Sequence, residues 1–154
     1  MKQFTLIPYE TWHYEYCAAL TPEGQQMGQA AVRLYAQAYK LRGYAESIKN
    51  EDNKIVGCGG LIELWSGVGE VWSMFTDEAK TNPFFLHRAS KRLVWSVAKA
   101  CRMHRIQAIV LYGDPVREKW IEKLGLRREG RMEQASPNRE DFGLWCWVKP
   151  CDTT

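Results

Sequence analysis

Between residues 70 and 112 the chain writes a strand, a long amphipathic helix and a second strand, and this succession constrains the fold more than any other feature. The segment 70–76 has strand character. After Asn82-Pro83, a capping residue followed by a proline suited to the first helical turn, the pattern predicts a helix reaching about His104. At about 100° per residue, Leu86, Ala89, Ser90, Leu93, Val94, Val97, Ala100 and Cys101 share one side. Arg88, Lys91, Arg92, Trp95, Lys99 and Arg102 share the other. Residues 108–112 form a continuous apolar run of strand length, expected at the centre of a sheet. Two strands joined through such a helix pair in parallel, with a right-handed crossover.

The flanking segments supply antiparallel neighbours. A first strand is predicted at 4–7, before Pro8, and a helical segment at 9–19. Thr21 caps and Pro22 opens a further helix that runs to Gly43, with Met27, Ala30, Ala31, Leu34, Tyr35 and Ala38 on one face. Residues 44–48 and 55–64 form a hairpin around the polar turn 50–53, and Gly67-Val68-Gly69 leads into the strand at 70–76. Asp114 caps another helix with Pro115 in its first position. Val116, Trp120, Ile121 and Leu124 are its buried face, and Gly125 is its stop. Strands at 127–133 and 142–148 close the chain. The order β-α-α-β-β-β-α-β-α-β-β defines a mixed α/β class. It has one mostly antiparallel sheet of about six to seven strands, flanking helices and one parallel pair.

Composition narrows the function. At 154 residues, 45% hydrophobic and 25% charged, the chain has the size and make-up of one globular domain spanning 1–154. No run approaches the roughly 18 apolar residues of a membrane span, and the first residues lack a secretory signal, so a cytoplasmic location without membrane contact is expected. A net charge of +3 is too weak to imply nucleic acid by itself. The five cysteines show no CxxC spacing and read as reduced packing thiols rather than metal ligands. Of the seven tryptophans, Trp65 with Trp72 and Trp145 with Trp147 are expected in core and sheet packing. Trp145 and Trp147 share one strand face, which suits either an interior wall or a docking surface; exposed, it would favour a homodimer.

Several short motifs occur in a definite order. Ile55-Val56-Gly57 precedes Glu70-Val71-Trp72-Ser73-Met74-Phe75. The run Glu122-Lys123-Leu124-Gly125-Leu126 follows, and then Glu129-Gly130. Over residues 54–148 this order resembles the GNAT acyltransferases, in which a Glu-Lys-Leu-Gly-Phe run ends the penultimate helix before a strand containing Glu-Gly. Within that superfamily the stretch 72–105, through Leu86-His87-Arg88 and its basic helix start, is similar to bacteriophage-encoded members. These include the small internal virion protein of T7-like phages and related prophage proteins.

The resemblance implies a GNAT fold and transfer of an acetyl group from acetyl-CoA to a primary amine of unspecified identity. It implies that Met74, Phe75 and Thr76 end the cofactor-binding strand. The turn opening the long helix would fall on Arg88, Ala89, Ser90, Lys91 and Arg92. The glycine positions of that turn hold Arg88 and Ser90, and its leading Arg or Gln position holds Phe85. Either the side-chain charges of Arg88, Lys91 and Arg92 meet the anionic cofactor in place of free amides, or these cations are a solvated helix face. Glu70 takes the place of the general base, with His87 as a second candidate. Ile121 stands where many members have the tyrosine that protonates the leaving thiolate, and Tyr112 is an alternative donor. Asp114 replaces the usual asparagine and is accounted for as an N-cap. Two other readings stay open. One is a GNAT-fold phage virion or host-interaction component without transferase activity. The other is a nucleic-acid surface on the Arg88-Arg92-Trp95-Lys99-Arg102 face.

Overall fold

A computed structural model describes residues 1–151. The elements in order are β1 (Thr5–Pro8), α1 (Thr11–Ala19), α2 (Pro22–Met27), α3 (Gln29–Arg42), β2 (Gly43–Lys49), β3 (Ile55–Trp65) and β4 (Val68–Phe75). There follow a 3-10 turn (Ala79–Thr81), α4 (Pro83–Ala100), β5 (Arg105–Leu111), α5 (Pro115–Leu124), β6 (Arg127–Met132) and β7 (Phe142–Val148). They build a seven-stranded sheet ordered β1-β2-β3-β4-β5-β7-β6. Every pairing is antiparallel except β4 with β5. The strand–helix–strand unit predicted from residues 70–112 is thus present, and it sits at the centre of the sheet.

The two sheet faces are covered differently because side chains alternate along each strand. Trp72 and Met74 pack with Tyr9, Tyr14 and Cys17 beneath α1 and with Val32 and Ala36 of α3. On the opposite face Leu61, Ile106, Ala108 and Trp145 meet Val94, Val97 and Ala98 of α4 and Ile121 and Leu124 of α5. Phe4, Ile48, Val56 and Leu86 close the β1 end of that second face.

Several expectations change. The helix predicted from Thr21 to Gly43 is two helices, because Gly28 stands at φ 84° and ψ 154°, a region essentially restricted to glycine. The face turned inward in α3 is Val32 and Ala36, while Leu34 and Tyr35, expected inside, are 66% and 45% exposed. Trp65, expected in the core, is exposed on the β3–β4 hairpin. Trp145 is buried and Trp147 packs edge-on against Trp95, so this pair is an interior wall and offers no docking surface. Helix α4 ends at Ala100, short of His104, and Arg102 adopts a left-handed backbone (φ 51°) that turns the chain into β5. Cys17, Cys58 and Cys146 are buried free thiols, as their packing role requires. Among the described residues no helix is long and apolar enough to cross a membrane, and no group of His, Cys, Asp or Glu is arranged to hold a metal.

Candidate active site

The site is organised by the way β4 and β5 part. Their parallel ladder has three rungs, Val68–Arg105, Gly69–Ile106 and Glu70–Gln107, and then stops. Beyond it both strands continue, to Phe75 and Leu111, without pairing to each other. A wedge therefore opens toward their C-terminal ends. The Thr76 amide donates to the Val56 carbonyl, and bonded and non-bonded positions alternate along an antiparallel pair. The backbone groups of Val71, Ser73 and Phe75 consequently turn away from β3 and into the wedge. They form a short edge able to pair with an extended amide-bearing ligand arm. Met74 and Thr76, expected at the cofactor strand, turn their backbones to β3 and anchor that edge. The Thr76 hydroxyl adds a second bond to Val56 at 2.6 Å.

Glu70 stands at the last rung, where the wedge begins. Its side chain lies on the α1/α3 face, the face of Trp72 and Met74, and is half-buried. Burial raises its pKa above the ordinary carboxylate value, opposed by a bond from the Gln107 amide at 3.4 Å. On the same face Tyr39 stacks flat on Trp72, with ring centroids 3.8 Å apart, and burial pushes its phenol well up, with the Glu70 charge adding to the effect. A carboxyl with a raised pKa at the head of a cleft can accept a proton from an amine near neutral pH.

His87 lies elsewhere. It is on α4, which covers the opposite face, and its ring meets Trp120 of α5 edge-on at 6.3 Å. Its Nδ1 is buried without a hydrogen-bond partner among the described residues. The structure therefore does not bring Glu70 and His87 together. His87 borders a depression on the outer side of α4.

The helix-opening turn also differs from the family pattern. Asn82 caps α4 through a bond from the Phe85 amide at 3.2 Å, and Pro83 follows. Arg88, Ala89 and Ser90 are then in the second and third turns, where their amides belong to the helical ladder and cannot face an anion. What the segment offers instead is side-chain charge. Phe84, His87, Arg88, Lys91, Arg92 and Trp95 border a broad shallow depression of about 700 Å³ on the outer side of α4. Within it Arg92 is already engaged by Glu46 of β2 at 3.6 Å. Ile121 is 2% exposed inside the α4/α5 core and has no chemistry to offer. The Tyr112 ring is covered by the guanidinium groups of Arg128 and Arg131, at 5.0 and 4.3 Å.

Three participants were not foreseen from the sequence. Gln107 and Arg105 lie two apart on β5, which places them on one face, and that spacing was the available sign of their partnership. Glu129 joins them from β6, a contact no local pattern reveals.

This architecture is that of solved N-acetyltransferases. A protein assigned as a phosphinothricin N-acetyltransferase superposes with a TM-score of 0.73 at 12% identity, over 97% of this chain and 100% of its own. A variant of the spermidine N-acetyltransferase of Vibrio cholerae gives 0.68 at 14% identity, over 95% and 94% of the two chains. A GNAT-family acetyltransferase of Bacillus anthracis gives 0.68 at 16%, over 96% of each. No family model matches the sequence, and no curated protein matches it. At such identities the likeness defines the fold, which is the GNAT acyltransferase fold. These neighbours do not support the phage-encoded branch expected from residues 72–105.

Proposed function

We propose that the protein is an N-acetyltransferase that uses acetyl-CoA to acetylate a primary amine. The observation that carries this reading is Glu70, half-buried and raised in pKa at the point where β4 and β5 separate. Acetyl-CoA, when bound, supplies the activated acetyl carbonyl. The open edge at Val71, Ser73 and Phe75 pairs with its amide-bearing arm, held rigid from behind by Met74 and Thr76. Arg88 and Lys91, with Arg92 alongside, meet the cofactor's phosphates by charge, since the Ala89 and Ser90 amides are spent within α4. His87, packed edge-on against Trp120, lies beside them. With the Gln107 amide donating to it, the Glu70 carboxylate is held in place to take the proton from the ammonium group of the acceptor. The acceptor approaches on the α1/α3 side, next to Tyr39, whose ring covers the buried Trp72.

Titration calorimetry with acetyl-CoA and CoA tests the reading first. Micromolar binding that weakens with salt, together with loss of turnover but not of binding in Glu70→Gln, is the expected result. The early start of α4 favours a second reading, a GNAT-fold phage virion or host-interaction protein without a cofactor. Absence of binding at millimolar ligand, with co-purification of a virion or host protein, would establish that one instead.

A further inference from the structure

On the sheet face that carries Glu70, four side chains from three strands connect in a line that ends on Glu70. The Glu129 carboxylate of β6 holds the Arg105 guanidinium of β5 with two parallel bonds, Nη1 to Oε2 and Nη2 to Oε1, each 2.8 Å. The Arg105 pulls the Glu129 carboxyl down to about 2, so the fork stays charged throughout the working range. This fork fixes the guanidinium plane and points Nε at the Oε1 atom of Gln107, 3.1 Å away. Guanidinium nitrogens only donate. The oxygen of the Gln107 amide is therefore claimed, and its NH2 is left to face Glu70.

We infer that Arg105 is a positioning residue for the reaction: by fixing the sense of the Gln107 amide, it decides that Glu70 meets a donor rather than an acceptor. The inference rests on the reading of Glu70 as the general base. An amide is nearly symmetric in shape, so Gln107 alone could present either end. A donor favours the ionised carboxylate, the form that accepts a proton from the amine; an oxygen in its place favours the protonated acid, which cannot. The other groups around Glu70 do not supply this bias. Tyr39 of α3 lies near it, but among the described residues no hydrogen bond joins the two, and Tyr14 of α1 is edge-on to Tyr39. Ile62 of β3 is its cross-strand neighbour, and the Cys146 thiol of β7 sits opposite Gln107, bonded to Glu129 at 3.0 Å.

The test is a double-mutant cycle read on Glu70 itself. In the full chain with carbon-13-labelled glutamate, the Glu70 carboxyl resonance, identified by its loss in Glu70→Gln, is followed through its titration. This is done in the wild type, Gln107→Met, Arg105→Met and the double variant. The expected result is an upward shift of the midpoint in each single variant, and none beyond that of Gln107→Met in the double. Arg105→Met raising the midpoint by the same step with and without Gln107 would overturn the inference, because that is the action of a distant charge. An unmoved midpoint in Gln107→Met would overturn it as well. Glu129→Ala frees the guanidinium without altering β5 and reproduces the Arg105→Met shift should that variant fold poorly. The acid limb of the turnover–pH profile is measured on the same proteins. A midpoint that moves while that limb stays fixed would sink Glu70 as the base and leave the positioning intact.

Discussion

Glu23 and Arg117, 94 positions apart in the chain, form an ion pair across the open end of the wedge between β4 and β5. Each is brought there by its own helix. Thr21 caps α2 and donates to the Met74 sulfur at 3.1 Å, which seats α2 over the end of β4. Arg117 lies one turn before Ile121 on α5, on the side turned inward, and its Nε also approaches Asp114 at 3.4 Å. Burial opposes ionisation of Glu23, but the bond and charge of Arg117, with Lys80 nearby, bring its pKa below the ordinary value.

A double-mutant cycle on Glu23→Gln and Arg117→Met should give a coupling of about 0.2–1 kcal/mol by thermal unfolding, since both groups are more than one-third exposed. The folded-state pKa of Glu23 is depressed. The contribution is therefore present above the unfolded-state pKa and lost as pH falls through the folded-state value. Full additivity at neutral pH would mean that the pair does not form in solution.

Glu70→Gln should lose turnover by roughly 10²–10⁴-fold, the usual contribution of a positioned base. The same change should make the protein more stable at neutral pH. Glu70 has a folded-state pKa raised by burial, so its contribution is most favourable below the unfolded-state pKa and becomes a penalty as pH rises through the folded-state value. Glutamine removes that penalty. The stability gap between variant and wild type should close on acidification, which denaturant melts at two pH values would measure. A variant that is inactive and also less stable at neutral pH would point to a structural role for this carboxylate.

The elements that could be read from sequence were those whose determinants are local. Helix α5 begins at Pro115 after the Asp114 cap and stops at Gly125, which stands in the left-handed region. Strand β7 spans Phe142–Val148, as its apolar pattern requires. The place of Glu70 on β4 was legible because the apolar residues around it mark the strand. Gly28 was not. Its composition is neutral between a helix interior and a break, and the decision lies in how α2 and α3 dock separately on the sheet. The inward face of α3, Val32 and Ala36, was hidden for another reason: Ala30, Ala31, Leu34, Tyr35 and Ala38 have the same helical spacing, and only docking on the sheet decides between the two faces. The Glu129–Arg105–Gln107 line and the Glu23–Arg117 pair escaped for a different reason: each joins segments that meet only once the sheet has closed.

The Gly28 break leads to a paired prediction. A Cβ at Gly28 would meet no atom within 4 Å, yet the backbone there (φ 84°, ψ 154°) is one that other residues do not adopt. Gly28→Ala should cost about 1–3 kcal/mol through strain alone. Gly130, also in open space but with no left-handed backbone, should tolerate alanine with a change of roughly 0.5 kcal/mol or less. Equal effects at the two sites would show that α2 and α3 reorient freely about residue 28.

The cations of α4 should separate by partner. Arg88 has no carboxylate within ion-pair reach among the described residues, and neither has Lys91, whereas Arg92 is held by Glu46. Arg88→Ala and Lys91→Ala should each weaken acetyl-CoA binding by about tenfold at low salt, the loss of one charge-assisted contact of roughly 1.5 kcal/mol. Both effects should shrink as salt rises, because exposed charges are screened. Arg92→Ala should weaken it less, since removing that cation also frees Glu46. Calorimetric titration of the three variants at two salt concentrations decides the matter. If all three bind like the wild type, the phosphates do not rest on the outer side of α4, and Lys80 and Arg117 at the mouth of the wedge become the cations to change next.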